Sequence, residues 1–201
     1  MFNLIRRDVI LQKWQLIIFI PCVAFFIMMG SHPALTFLVA AIFIPFNAFF
    51  YDEKAETNIL LNSLPYTRKT IIASRYIGAI VYMGLGIGVT CLALLIANTS
   101  YTLTDIAIAS GLFFVFASFT FPLFYILKPG YISTVVMLSF LVLAGIGPRT
   151  VLYLIDKLPV ITDFINSLSM SVIYTGSTLI VMFLYVISWV FTTIVYQRKA
   201  F

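Results

Sequence analysis

From Ile77 to Ala97 the chain runs 21 residues without a charged side chain. It does so again over the 22 residues from Ile106 to Leu127 and the 26 from Ser171 to Tyr196. A helix needs about 20 mostly apolar residues to cross the hydrocarbon core of a bilayer. Within that core every backbone N–H and C=O must find its partner inside the protein, which restricts such runs to helices. Three shorter runs, Trp14 to Met29, Ala34 to Tyr51 and Tyr131 to Gly147, bring the expected number of transmembrane helices to six. Composition agrees: 62% of the 201 residues are hydrophobic and 9% are charged, against ~25% charged in a soluble domain. The expected fold is therefore an all-α integral membrane protein, with residues 1–201 forming one transmembrane domain.

The net charge of +5 does not point to nucleic acid, because the positive residues lie at the ends of the apolar runs. With six spans, Arg6, Arg7, Lys13, Lys54, Arg68, Lys69, Arg75, Lys128, Arg198 and Lys199 fall on one side. Only Arg149 and Lys157 fall on the other. The excess of Lys and Arg marks the cytoplasmic side, so both termini are expected inside. The N-terminal "MFNLIRRDVILQKWQ" lacks a small-residue cleavage site after its apolar run. Phe2, Ile5 and Val9 fall on one helical stripe, with Arg6 and Asp8 off it, so residues 1–13 read as an amphipathic helix on the inner membrane surface.

Two further stretches are neither span nor simple loop. On the outer side, "PRTVLYLIDKLPVITDFINSLSM" (148–170) has two brief apolar patterns, Val151, Leu152, Leu154, Ile155 and then Ile161, Phe164, Ile165, Leu168, separated at Pro159. These predict a pair of short helices whose apolar faces dip into the outer leaflet or cap the bundle. On the inner side, "YDEKAETNILLNSLPYTRKTIIASRY" (Tyr51–Tyr76) holds seven of the nineteen charged residues. Asp52 and Glu53 are expected to open the exposed segment, where acidic residues favour a helix start. Glu56 to Leu64 predicts a short helix with Ile59, Leu60, Leu61 and Leu64 near one side, stopped by Pro65. Thr67 is placed to cap the next helix, which carries Arg68, Lys69 and Arg75 into the third span. An apolar knob flanked by charge reads as a docking element for a partner protein; a solvated loop would not need "ILL".

The glycines of "GAIVYMGLGIG" do not form a dinucleotide fingerprint, since they follow no strand and lie inside an apolar run. Gly84 and Gly88 have the small-xxx-small spacing of a close helix contact, within the subunit or at a dimer seam. Pro21, Pro45 and Pro122 lie inside spans, where a neighbouring group must re-satisfy each freed carbonyl. Cys22 and Cys91 sit at different depths and read as small buried hydrophobes. No Walker A, HExxH or GxSxG pattern is present, and His32 is the single histidine. No acidic residue lies deep in a span to serve ion-coupled transport. The chain is thus not expected to be an enzyme or to hold a cofactor or metal.

The Tyr51–Tyr76 segment, with its acidic pair, short helix, "LNSLP", "RK" and "ASRY", resembles the cytoplasmic segment of ABC-2 type transporter permeases. The N-terminal "NLIRRDVILQKW" is similar to the opening of the same group, and the six-span layout covers the whole chain. Within the family the closest similarity is to bacterial exporters of antimicrobial or cytolytic peptides. The resemblance implies that residues 1–13 are an elbow helix and 148–170 an outer re-entrant helix pair. It implies that 52–75 is the coupling segment, with Glu56, Ile59, Leu60, Leu61, Leu64, Arg68 and Lys69 facing an ATPase. It further implies two ATPase subunits that bind ATP and Mg, a second permease subunit as homo- or heterodimer, and a place in the bacterial plasma membrane. The rival readings are a substrate-binding membrane module of a vitamin importer, which would not need a charged coupling segment, and an intramembrane enzyme.

Overall fold

The structure is a computed structural model that describes residues 13–54, 67–127, 131–159, 163 and 167–198. The expected elbow helix up to residue 12 and the expected coupling helix from Glu56 to Leu64 lie outside the described residues. So does most of the second outer helix, between Ile161 and Leu168. Among the described residues all regular structure is helical: α1 (Lys13–Met28), α2 (Pro33–Lys54), α3 (Arg68–Ile96), α4 (Leu103–Ile126), α5 (Ile132–Gly145), α6 (Gly147–Lys157) and α7 (Met170–Arg198). α3, α4 and α7 are long and apolar enough to cross a membrane. α1 and α2 contain the shorter apolar stretches Ile18–Met28 and Pro33–Asn47.

The ends of these helices follow from local chemistry. Thr67 caps α3 as the sequence predicts, its hydroxyl accepting from the backbone N–H of Thr70 at 3.2 Å. Thr102 and Asp105 close a capping box at the start of α4, satisfying two N–H groups that the first turn leaves open. α1 ends at Gly30, whose φ of 66° suits a residue without Cβ. The N–H groups of Gly30 and Ser31 fold back on the carbonyls of Ile27 and Phe26, a Schellman turn. α3 ends in the same way at Asn98, φ 53°, with Asn98 and Thr99 bonded back to Leu95 and Leu94.

One expectation is corrected. Asp52 and Glu53 do not open a new segment; they belong to the last turn of α2, which continues to Lys54. No proline or glycine interrupts the chain between Pro45 and Lys54, so nothing stops the helix at Tyr51. The stretch from Pro148 begins with a short helix: α6 has Pro148 in its first turn, where the missing N–H costs nothing. α6 is strongly amphipathic, and Leu152, Tyr153, Leu154 and Ile155 are exposed on it.

α4 is the centre of the bundle, packed against α2, α7 and α5, while α3 packs against α2 and α7. The main core joins α2, α3, α4 and α7 through Phe46, Tyr76, Phe116, Phe121, Tyr125 and Tyr196. It is an aromatic pile: the Phe46 ring lies 5.0 Å from Phe116 and 5.6 Å from Phe124, and Tyr76 lies edge-on to Phe121 at 5.2 Å. Such tilted and edge-to-face pairs gain beyond their buried area. α1 joins through the smaller cluster of Phe19, Val23 and Ala40. At the opposite end Phe37, Leu94 and Ala109 close the bundle.

Candidate functional site: the basic end of the bundle

α3 starts, and α4 and α7 finish, at one end of the bundle, the end that carries Arg68, Lys69, Arg75 and Arg198. Here α3 is tied to α7 by charge. The Arg68 guanidinium donates from Nη1 to the carbonyl of Gln197 at 2.9 Å and to that of Tyr196 at 3.4 Å. These are carbonyls of the last turn of α7, which have no partner within their own helix. A cation there also meets the negative end of the helix dipole. Arg75, two turns further along α3, is buried at 7% exposure. Lys69 is exposed and lies beside α7.

About two turns in from Arg68, hydroxyls replace charge. The Tyr76 hydroxyl lies 2.8 Å from Ser188 Oγ and 2.7 Å from Thr192 Oγ1. Ser188 Oγ is in turn 2.7 Å from the carbonyl oxygen of Ser118. Proton counting fixes the direction of this chain. A serine hydroxyl has one proton, and the carbonyl of Ser118 can only accept it. Tyr76 must then donate to Ser188, and Thr192 to Tyr76. The Ser118 carbonyl sits four residues before Pro122, so it is the one that the proline leaves without a helical donor. Ser188 of α7 supplies that donor, as the in-span prolines demand. Tyr185 adds a further tie, donating to the backbone carbonyl of Tyr76 at 2.9 Å. Trp189 stacks on the Tyr76 ring at 5.8 Å and 11°.

Thus α3, α4 and α7 are locked together within two turns of the point where the Tyr51–Tyr76 segment enters α3. Of the residues expected to serve coupling, Arg68 and Lys69 lie at this entry. Glu56, Ile59, Leu60, Leu61 and Leu64 are outside the described residues. The Tyr76–Ser188–Ser118 chain was not foreseen. Its only local signals are the pair Ser188 and Thr192, one turn apart in an apolar run, and Ser118 four residues before Pro122.

Gly84 and Gly88 lie on an exposed face of α3, and a Cβ at either would meet open space among the described residues. The close approach inside the chain is at Gly86, where a Cβ would lie 2.8 Å from the carbonyl oxygen of Ala40 on α2. At the far end, His32 Nδ1 accepts from the Ala34 N–H at 3.3 Å, and the same nitrogen lies 3.7 Å from Asp105 Oδ1 at the start of α4. Cys22 and Cys91 are unpaired and half-buried. Among the described residues no group of three His, Cys, Asp or Glu side chains is placed to hold a metal ion.

Residues 3–197 match a family described as ABC-2 family transporter protein. No curated protein and no solved structure matches the chain.

Proposed function

The chain belongs to the ABC-2 transporter family, and from that premise we propose that it is the membrane-spanning permease subunit of an exporter powered by a separate ATPase. Family membership makes it a membrane component of an ABC transporter and argues against the vitamin-importer module and the intramembrane enzyme. In this reading six helices cross the bilayer with both termini cytoplasmic. The basic end of the bundle is the cytoplasmic end, where it meets the partner. Residues 1–13 lie on the inner surface as the elbow, and α6 opens the re-entrant pair of 148–170 against the outer leaflet. Two such subunits, identical or not, pair with two ATPase subunits, which hold the ATP and Mg. The apolar helix faces suit an amphipathic or hydrophobic cargo, an antimicrobial or cytolytic peptide in the narrowest form of the proposal.

The observation that carries the reading is the fastening of the start of α3. A coupling element must pass displacement to the helices that line the path. Glu56, Ile59, Leu60, Leu61 and Leu64 would seat in the ATPase, with Arg68 and Lys69 as the charges that flank the joint. A push on that segment reaches Arg68 first. The bonds from Arg68 to Tyr196 and Gln197, followed by those of Tyr76 to Ser188 and Thr192, would carry it into α7. Ser188 would then carry it into α4. The helices would move as one body rather than α3 sliding alone.

Co-purification from the native membrane tests this. The tagged chain should bring down an ABC ATPase in about equal amounts. Leu60→Asp or Leu61→Asp should lose it while still inserting in the membrane. An Asp there would place a charge in an apolar cleft without a partner. Recovery of the chain alone from native membranes would refute the reading.

A further inference from the structure

Beside Lys69 the surface of α7 is hollowed into a groove of about 500 Å³. It is lined by Val186, Trp189, Val190, Thr193 and Ile194, with Lys69 and Gln197 at the basic end. The groove is amphipathic along its length: aliphatic toward the middle of the bundle, cationic and amide-bearing at the end. From Val186 to Gln197 it follows α7 for ~16 Å at 1.5 Å per residue. That is about half of the ~30 Å hydrocarbon core, the depth of one leaflet.

We propose that this groove seats a single anionic phospholipid from the leaflet that abuts the basic end, with one acyl chain along Val186, Val190 and Ile194 and the headgroup phosphate on Lys69. Charge decides between this occupant and a second copy of the chain. Lys69 makes no ion pair among the described residues, while its neighbour Arg68 is engaged with the carbonyls of α7. The chain carries +5 overall, and Arg68, Lys69, Arg75 and Arg198 gather at this end. A second copy laid over the groove through its own basic end would set like charges against Lys69. A phosphate sets the opposite charge there, next to the positive end of the α3 dipole. The proposal needs only that the helices sit in a membrane and is independent of the ATPase.

The chain has two tryptophans, so Trp14→Phe leaves Trp189 as a reporter in the groove. The full-length variant is reconstituted in vesicles of phosphatidylcholine mixed with brominated phosphatidylcholine or brominated phosphatidylglycerol, and quenching of Trp189 is read as relative affinity. Phosphatidylglycerol should be preferred about 5-fold, equivalent to the ~1 kcal/mol that one lysine contributes at an anionic surface. Lys69→Gln should bring the ratio close to unity and Lys69→Arg should keep it. Added inorganic phosphate should leave the quenching unchanged, since the acyl chain holds the lipid in place. Equal quenching by both lipids in the parent, or a preference that survives Lys69→Gln, would overturn the proposal. So would quenching by neither lipid, which would show a groove covered by protein. Relief of quenching by an added amphipathic peptide, without any lipid preference, would reassign the groove to peptide and overturn it as well.

Discussion

Ser188 is the hinge of the buried hydroxyl chain because it alone serves a carbonyl that cannot be served locally. Removing the Ser188 hydroxyl takes the donor from the Ser118 carbonyl that Pro122 has freed. Removing the Thr192 hydroxyl leaves Tyr76 still bonded to Ser188. An orphaned buried carbonyl costs about 1–3 kcal/mol, whereas side-chain hydrogen bonds inside membrane proteins average ~0.6 kcal/mol. Ser188→Ala should therefore lower the thermal stability of the detergent-purified chain more than Thr192→Val. Equal melting temperatures for the two variants would mean that the Pro122 site is satisfied some other way. That a freed carbonyl must find a donor was legible from Pro122 alone. Which donor was not, since Ser188 lies 70 residues from Ser118 and only the packing of α7 on α4 brings them together.

At the scale of the element, α3 carries its glycines at 84, 86 and 88, and the structure separates their roles. Two residues are ~200° apart around a helix at 3.6 residues per turn, so Gly86 faces nearly opposite to Gly84 and Gly88. The buried stripe is Gly78, Tyr82, Gly86, Thr90 and Leu94, spaced by four. Gly84 and Gly88 share the other face with exposed Val81, Leu85 and Leu92. The small-xxx-small spacing was visible in the sequence. Which glycine face meets a helix of the same chain was not, because both faces are apolar in a membrane and polarity gives no contrast. Gly86→Ala should destabilise the isolated subunit, since its Cβ meets a backbone oxygen that cannot rotate away. Gly84→Ala should leave it unchanged, and Gly84→Leu should reduce only the assembled fraction if that face forms the proposed seam. Both are read by melting and size-exclusion chromatography. A loss of subunit stability with Gly84→Ala would contradict the assignment of faces. Element ends followed legibility in the same way. The Thr67 cap was readable because it is local chemistry, while the extra turn of α2 past Tyr51 was not, since Asp52, Glu53 and Lys54 are compatible with helix and with loop.

For the whole molecule, composition and run length were enough to place an all-helical chain in the membrane, because a 9% charged sequence cannot cover a soluble surface. Sidedness rests on the ten-to-two distribution of Lys and Arg. In a background without Cys22 and Cys91, cysteines introduced at Asn3 and Gln197 should be shielded from an impermeant thiol reagent in intact cells. One at Thr162 should label. Labelling of Asn3 or Gln197 from outside would overturn the proposed six-helix topology. We propose that ATP hydrolysis on a partner is coupled to these helices through the segment before α3. The most direct test is ATPase turnover of the co-purified complex reconstituted in lipid. Each seated leucine is worth ~1.5–3 kcal/mol of buried area before association costs, and an exposed charge pair only ~0–1 kcal/mol. Leu60→Asp and Leu61→Asp should thus bring turnover down to that of the ATPase alone, while Lys69→Ala retains most of it. Normal turnover and normal subunit binding in both aspartate variants would contradict the account and leave Tyr51–Tyr76 as a solvated loop whose charges only orient the chain.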